Sequence, residues 1–247
     1  MMIRIIYDNN PFDDSLETSW GFACIIQDLP RTILFDTGGS GKILLSNMAK
    51  CGIKPEQIDA IVLSHIHSDH TGGLYEFLKE NHNVEVFMPK ISPANFKQKA
   101  RQLCAGIVEI EKPCKICEGA WTTGVLDGEI EEQGLCLKTS KGVVVITGCA
   151  HPGIARISEA AKKHSKMPLF AVLGGFHMKD FSEEKIKRVI KGLENSGVRK
   201  VCPCHCSGSA TRRLMKAAFR KGYLHSGAGA AITFKVESEG KAFARGI

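Results

Sequence analysis

Asp59-Ala60-Ile61-Val62-Leu63-Ser64-His65-Ile66-His67-Ser68-Asp69-His70-Thr71-Gly72-Gly73 is the stretch on which the reading of this chain turns. It begins with a short apolar run of the kind that buries as a strand. Three imidazoles and a carboxylate follow within six positions. In extended or turning backbone at a strand end, His65 and His67 point to one side, and the turn into the next helix lets Asp69 and His70 face a neighbouring point. Neutral imidazole nitrogens and carboxylate oxygens suit zinc and related transition ions. A lone loop histidine reads as a surface residue, whereas four such groups packed together read as a metal site.

Outward from this stretch, β-branched runs alternate with helical patterns. Residues 3–7, 23–27, 32–35, 60–63, 84–88, 143–147, 169–173 and 230–236 read as strands, and 41–49, 73–80, 154–164, 182–195 and 209–221 as helices. That order implies a layered α/β domain. The two strands joined at Leu29-Pro30 read as an antiparallel hairpin, and the later strand-helix-strand units as parallel or mixed pairing. No linker or internal repeat divides the chain, so a single domain over 1–247 is expected. Residues 89–134 carry the weakest pattern and read as an insertion or a lid over a site.

Composition excludes several classes. With 43% hydrophobic and 24% charged residues the chain matches ordinary folded proteins rather than disordered or fibrous ones. The N-terminal apolar stretch is too short for a signal peptide, and no run approaches the roughly 20 apolar residues that span a bilayer. A cytoplasmic location without membrane association is therefore expected. Its 10 cysteines then read as reduced thiols or metal ligands rather than disulfides. The net charge of +7 favours anionic ligands, but it is spread over solvated helix faces and accompanies no RNA-binding aromatic motif or zinc-finger spacing. A small-molecule substrate, phosphorylated or not, is expected ahead of nucleic acid, and a homo-oligomer is left open.

Other histidines share the setting of the first three. His151 follows the apolar strand Val143-Val144-Val145-Ile146, His177 follows residues 169–173 through Gly174-Gly175, and His205 follows Val201. Six of the nine histidines thus stand just beyond strand ends, where α/β sheets usually place their sites. His82, His164 and His225 lack that setting and read as surface residues. Cys114-Lys115-Ile116-Cys117 has metal spacing but no second pair nearby, and the thiols of Cys202, Cys204 and Cys206 read as packing or as neighbours of a metal ligand. Asp36-Thr37-Gly38-Gly39-Ser40-Gly41-Lys42 fails as a phosphate loop, because its first glycine is missing and Ile43 stands where a magnesium-holding hydroxyl belongs. Asp36 reads instead as a carboxylate that orients a ligand histidine.

Taken in order, these landmarks resemble the metallo-β-lactamase superfamily. His65, His67, Asp69 and His70 match its His-x-His-x-Asp-His hallmark. Phe35-Asp36-Thr37-Gly38 resembles its upstream turn, Gly148-Cys149-Ala150-His151-Pro152-Gly153 its third metal motif, and Cys204-His205-Cys206-Ser207-Gly208 its last. The resemblance implies an α/β fold of the αββα sandwich type, two mixed sheets flanked by helices. It implies one or two transition-metal ions, zinc first and manganese or iron as alternatives. His65, His67 and His151 would form one site, and Asp69, His70 and His205 the other. One position departs: where most of the superfamily bridges the metals with an aspartate, this chain has Gly174-Gly175-Phe176-His177, so His177 is expected to ligate a metal or hold a substrate group. The Gly-Gly-Phe-His and Pro-x-His-Cys-Ser-Gly pieces further resemble the subgroup of metal-dependent hydrolases related to dihydropterin ribofuranosylaminobenzene 5'-phosphate synthase.

The resemblance implies a hydrolase in which metal-activated water attacks an ester or phosphoester, with Asp69 orienting the nucleophile and moving its proton. The alternative is a pterin-type transferase using the same metals. A di-iron redox protein of this fold ranks lower, since those carry Glu where His67 stands, and a non-catalytic binding role ranks with it.

Overall fold

In the computed structural model, which describes residues 1–236, the apolar runs pair into two sheets. The strands in chain order are β1 (Met2–Tyr7), β2 (Ala23–Gln27), β3 (Ile33–Phe35), β4 (Ala60–Val62), β5 (Glu85–Pro89), β6 (Gly106–Ile110), β7 (Lys115–Cys117), β8 (Ala120–Leu126), β9 (Glu132–Thr139), β10 (Gly142–Thr147), β11 (Leu169–Gly175), β12 (Lys200–Cys204) and β13 (Ala231–Thr233). The first sheet runs β13-β1-β2-β3-β4-β5-β6 and the second β12-β11-β10-β9-β8-β7. Both are mixed: β1 to β3 pair antiparallel and β3 to β6 parallel, while β10 to β12 pair parallel and β7 to β10 antiparallel. The hairpin at Leu29-Pro30 is present as β2 and β3.

Alternation along the strands explains the layering. Ala60 and Val62 face the second sheet, joining Ile3, Ile5, Phe35, Leu135, Leu137, Val144, Ile146 and Leu173 in the core between sheets. Ile61 points the other way, packing with Ile25, Leu34 and Val86 beneath α1 (Gly41–Lys50), α3 (Leu74–Glu80) and α4 (Ala94–Arg101), which contribute Leu44, Phe77 and Ala100. The short α2 (Ser68–Thr71) sits between α1 and α3 in sequence. On the second sheet Val143, Val145, Val172 and Val201 pack under α5 (Ile154–Ser165), α6 (Glu183–Ser196) and α7 (Ser209–Phe219) through Ile157, Ile186, Leu193 and Met215. The architecture is the expected αββα sandwich. Strands covered on both faces read as unbroken apolar runs because neither face meets water. Each fully buried Phe, Leu or Ile in them contributes about 1.5–3 kcal/mol.

Helix ends follow capping chemistry. Ser182 caps α6 by accepting from the Lys185 amide at 3.3 Å, and Gly197 ends it at φ 101°. The expected elements are found with small shifts at their ends: α7 stops at Phe219 and passes into a 3-10 turn over Arg220–Gly222, and the last strand covers only Ala231–Thr233.

Residues 89–134 correct the sequence reading. They form neither an insertion nor a lid, but α4, β6, β7, β8 and the start of β9, which finish one sheet and begin the other. The final part of the expected single domain, residues 237–247, lies outside the described residues. Among the described residues no helix is long and apolar enough to cross a membrane.

Candidate metal centre

The parallel strands end at one edge of the sandwich, and their following loops converge there. β3 delivers Asp36, β4 delivers Ser64, His65 and His67, β10 delivers Cys149 and His151, β11 delivers His177, and β12 delivers His205 and Cys206. Residues far apart in the chain therefore meet at the carboxyl ends of neighbouring strands.

His65, His67 and His151 come together, with ring centroids 4.8 Å apart for His65–His67, 4.8 Å for His65–His151 and 5.0 Å for His67–His151. His65 Nε2 and His67 Nδ1 are 3.2 Å apart. Two nitrogens held at about 2.0–2.1 Å by one tetrahedral ion stand roughly 3.3 Å apart, so this pair is spaced as ligands of a single ion. A second set forms beside it: Asp69 Oδ2 lies 3.1 Å from His205 Nε2 and 3.6 Å from His70 Nε2. The sets touch through His65 and His70, whose rings are 4.3 Å apart.

Three of the histidines, His65, His70 and His205, are turned by a partner on the far nitrogen. Asp36, buried and at φ 56°, accepts the Ser64 amide through Oδ1 and the Ser64 hydroxyl through Oδ2, both at 2.7 Å. The same Oδ2 lies 2.7 Å from His70 Nδ1, and Ser64 Oγ lies 2.8 Å from His65 Nδ1. With its hydroxyl hydrogen given to Asp36, Ser64 is left to accept from His65 Nδ1–H. One carboxylate thus orients a histidine in each set, as the sequence suggested for Asp36. His205 is fixed likewise: Nδ1 meets Asn9 Oδ1 at 2.8 Å and its amide donates to Asp8 Oδ2 at 3.1 Å. All three rings are left pointing Nε2 at the centre.

The outcome is a fit to metal. The Nε2 atom of His151 is buried without a hydrogen-bond partner, and that of His205 is buried facing the Asp69 carboxylate at 3.1 Å. Buried orphan nitrogens cost free energy unless something accepts their lone pairs, and a cation does so. Asp69, His70, His205 and Cys149 form one cluster able to hold an ion; His65, His151 and Cys149 form a second; Cys149, His177 and Cys206 form a third.

Electrostatics agree with cationic occupation. Burial, with His70, His151 and His67 alongside, drives His65 well below the usual histidine range, and burial with His177 and His67 lowers His151 to about 4. Both are therefore neutral imidazoles at pH 7, the form able to donate to a metal. Burial also opposes charge on His70, but Asp36 outweighs it and, with Asp69, raises the group to about 9. Burial likewise works against Asp69, yet His205 and His70 hold its carboxyl below the ordinary range.

His177 stands apart from the six-residue arrangement. It is exposed, at φ 49°, with its ring 4.3 Å from His151 and its amide donating to Cys206 Sγ at 3.3 Å. His82, His164 and His225 are exposed, as expected, and belong to none of the clusters. Cys114 and Cys117 belong to none either, and Cys202 and Cys204 pack between the sheets.

Sequence reasoning missed two residues. Cys149 lay inside a quoted motif without a role, yet it belongs to all three clusters. Glu132 lay in the unreadable segment. It is buried at the start of β9, and its Oε1 accepts the amides of Gly148, Cys149 and Ala150 at 3.1, 3.0 and 2.8 Å, while Oε2 accepts His151 N at 2.9 Å. Burial pushes its carboxyl up to about 7 against the pull of those amides and of His70.

Comparison with known proteins agrees with this geometry. Residues 26–113 match the sequence profile of the metallo-beta-lactamase superfamily. A 7,8-dihydropterin-6-methyl-4-(beta-D-ribofuranosyl)-aminobenzene-5'-phosphate synthase from Methanocaldococcus jannaschii is 31% identical over 271 residues, covering 92% of this chain and 92% of the relative. An uncharacterized protein of the same organism is 30% identical over 84% of this chain and 91% of its own length. Among solved structures, a metal-dependent hydrolase of the beta-lactamase superfamily, Tm1679, superposes with a TM-score of 0.80 at 26% identity, covering 95% of this chain and 99% of that one.

Proposed function

This chain belongs to the metallo-beta-lactamase superfamily, and on that footing we propose that it is a metal-dependent hydrolase acting on an ester or phosphoester of a small molecule. The observation that carries the reading is the pair of adjoining ligand sets, in one of which the buried His151 Nε2 has no hydrogen-bond partner, while in the other the buried His205 Nε2 meets the Asp69 carboxylate at 3.1 Å. His65, His67 and His151 would hold one ion, and Asp69, His70 and His205 a second. Zinc suits the donors best, with manganese or iron as alternatives. Ions held there would lower the pKa of water toward about 7 and would stabilise negative charge on a substrate.

The protein's own groups supply the rest. Asp69, ionised and held beside His70 and His205, would accept a hydrogen bond from the attacking water and fix its direction. His177, exposed beside His151 and pushed up by its contact with Cys206, stands where it holds a substrate group or hands a proton to the departing oxygen. A panel of phosphoesters and carboxylic esters tests the reading: turnover should vanish on chelation and return with zinc or manganese, and metal-loaded protein inert across the panel would count against hydrolysis.

A second reading, a transferase joining a pterin to an aminobenzene ribotide, is favoured by the 31% identity to the synthase and by one feature of the rim. Trp20 is 49% exposed, with its ring centroid 4.6 Å from that of His205, and Lys179 Nζ lies 5.5 Å from the Trp20 centroid. An aromatic face beside a cation suits a flat ring that carries phosphate. Incubation with a pyrophosphorylated pterin and the ribotide decides: a joined product supports the transferase, and release of free acid or alcohol alone supports the hydrolase.

A further inference from the structure

We propose that Cys149 is a metal ligand whose thiolate bridges the two halves of the centre, in the role that an aspartate fills in most of the superfamily. The proposal rests on the metal-centre reading above and adds a residue to it.

Position is the first argument. Cys149 Sγ lies 3.2 Å from His70 Nε2. It also lies within 4.8 Å of the ligand atoms of Asp69 and His205 on one side and of His65 and His151 on the other. Cys149 is thus a member of the cluster on either side of the centre. The partnerless Nε2 of His151 belongs to one of those two clusters, and the His205 Nε2, which faces Asp69, to the other.

Space is the second. A Cβ added at Gly175 would meet the Gly148 carbonyl, Cys206 Sγ at 2.7 Å and Cys149 Cα at 3.2 Å. The volume that a side chain at Gly175 would enter is taken by the backbone of the β10 loop at Gly148 and Cys149 and by the Cys206 thiol. The chain therefore has no room for an acid at Gly175, and the thiol of Cys149 stands at the junction instead.

Rigidity is the third. The backbone carrying Cys149 is held by the buried Glu132 carboxylate, which receives four consecutive amides from Gly148 to His151. Gly148 is itself obligatory, since a Cβ there would strike Ser64 Oγ and lie 2.8 Å from Asp36 Oδ2. A loop anchored this way places one side chain at one point, as a ligand requires. On binding, the S–H bond breaks, the sulfur keeps the electron pair and donates it to the ion, and the proton leaves to solvent. Cys206, with its sulfur 3.4 Å from that of Cys149, is the neighbour that the experiment must separate from it.

The test substitutes cobalt for the native ion in full-length protein and reads bound cobalt by equilibrium dialysis together with the near-ultraviolet thiolate-to-cobalt charge-transfer band. Wild-type protein should bind cobalt and show the band. Cys149→Ser should lose the band and bind its second equivalent at least ~10-fold more weakly, because removing even an outer partner of a ligand weakens a site ~10–100-fold. Cys206→Ser should keep the band. Cobalt bound without a band in wild type, or a band that survives in Cys149→Ser, overturns the thiolate assignment while leaving the metal centre standing. No bound cobalt in any variant overturns the metal centre and the thiolate with it. Should Cys149→Ser fail to fold, X-ray absorption on zinc-loaded Cys206→Ser decides: a sulfur neighbour at about 2.3 Å supports the proposal, and nitrogen and oxygen neighbours alone overturn it.

Discussion

Asp36 Oδ2 lies 2.7 Å from Nδ1 of His70, with both side chains fully buried. Through the Ser64 hydroxyl the same oxygen also controls the tautomer of His65. A single carboxylate therefore presents one nitrogen to each half of the centre. Asp36→Asn should keep the fold but present an amide whose NH2 faces a ring N–H in one of its two rotamers. Metal affinity should fall ~10–100-fold in both halves, read by competition with a chromophoric chelator. A loss confined to one half would show that Ser64 does not relay the effect.

Metal uptake should depend on pH through His70. Asp36 raises it to about 9 in the metal-free protein, so ligation must displace a proton. Apparent affinity of the Asp69, His70 and His205 set should rise by up to roughly tenfold per pH unit between about 6.5 and 9, then level off. The stability term runs the other way. A folded pKa above the unfolded value of 6.5 stabilises fully below it and is lost as pH climbs through about 9. Metal-free protein should therefore melt at lower temperature at pH 9.5 than at pH 7, and this part of the change should be absent in Asp36→Asn. Identical slopes in the two proteins would refute the assignment.

Replacing Asp69 by Asn removes the carboxylate that faces His70 and His205 while leaving His65, His67 and His151 untouched. Turnover should drop by at least ~100-fold, the low end of what positioned proton-handling groups contribute. Most of the tighter-binding metal should remain. Unchanged turnover with bound metal would remove Asp69 from the mechanism.

Glu132→Gln tests the loop that carries Cys149 and His151. A glutamine oxygen can keep the three amides on Oε1, but its NH2 then faces the His151 N–H and leaves that buried donor unpaired. Such a loss costs about 1–3 kcal/mol, and thermal melting should show it. A melting temperature equal to that of wild type would show the amides to be satisfied otherwise.

Much of this centre is legible in the chain because ligand types cluster within a few residues of strand ends, and a strand with both faces covered announces itself by continuous apolarity. His65, His67, Asp69 and His70 declare themselves in this way, and His151 and His205 follow from their place after Val143-Val144-Val145-Ile146 and Val201. Residues 89–134 stay unreadable for equally physical reasons. Helix α4 buries only Ala100, so it has no apolar stripe, and β6 is an edge strand whose residues other than Ile110 are not buried, so it lacks a clean alternation. Glu132 sits among those unpatterned residues, and nothing local marks a carboxylate that collects amides from sixteen to nineteen positions away. Cys149 escapes notice because its meeting with His70 and Cys206 depends on the parallel order of β10, β11 and β12, which spacing alone does not fix.

The central claim is that two adjoining ligand sets make this a two-ion enzyme centre. Titrating zinc into the metal-free chain under native mass spectrometry tests it most directly. The account predicts two bound ions with unequal affinities, the first depending on His65 and His151 and the second on His70 and His205. Protein that takes up no ion after reconstitution, or that keeps both ions when those histidines are replaced by alanine, would contradict it.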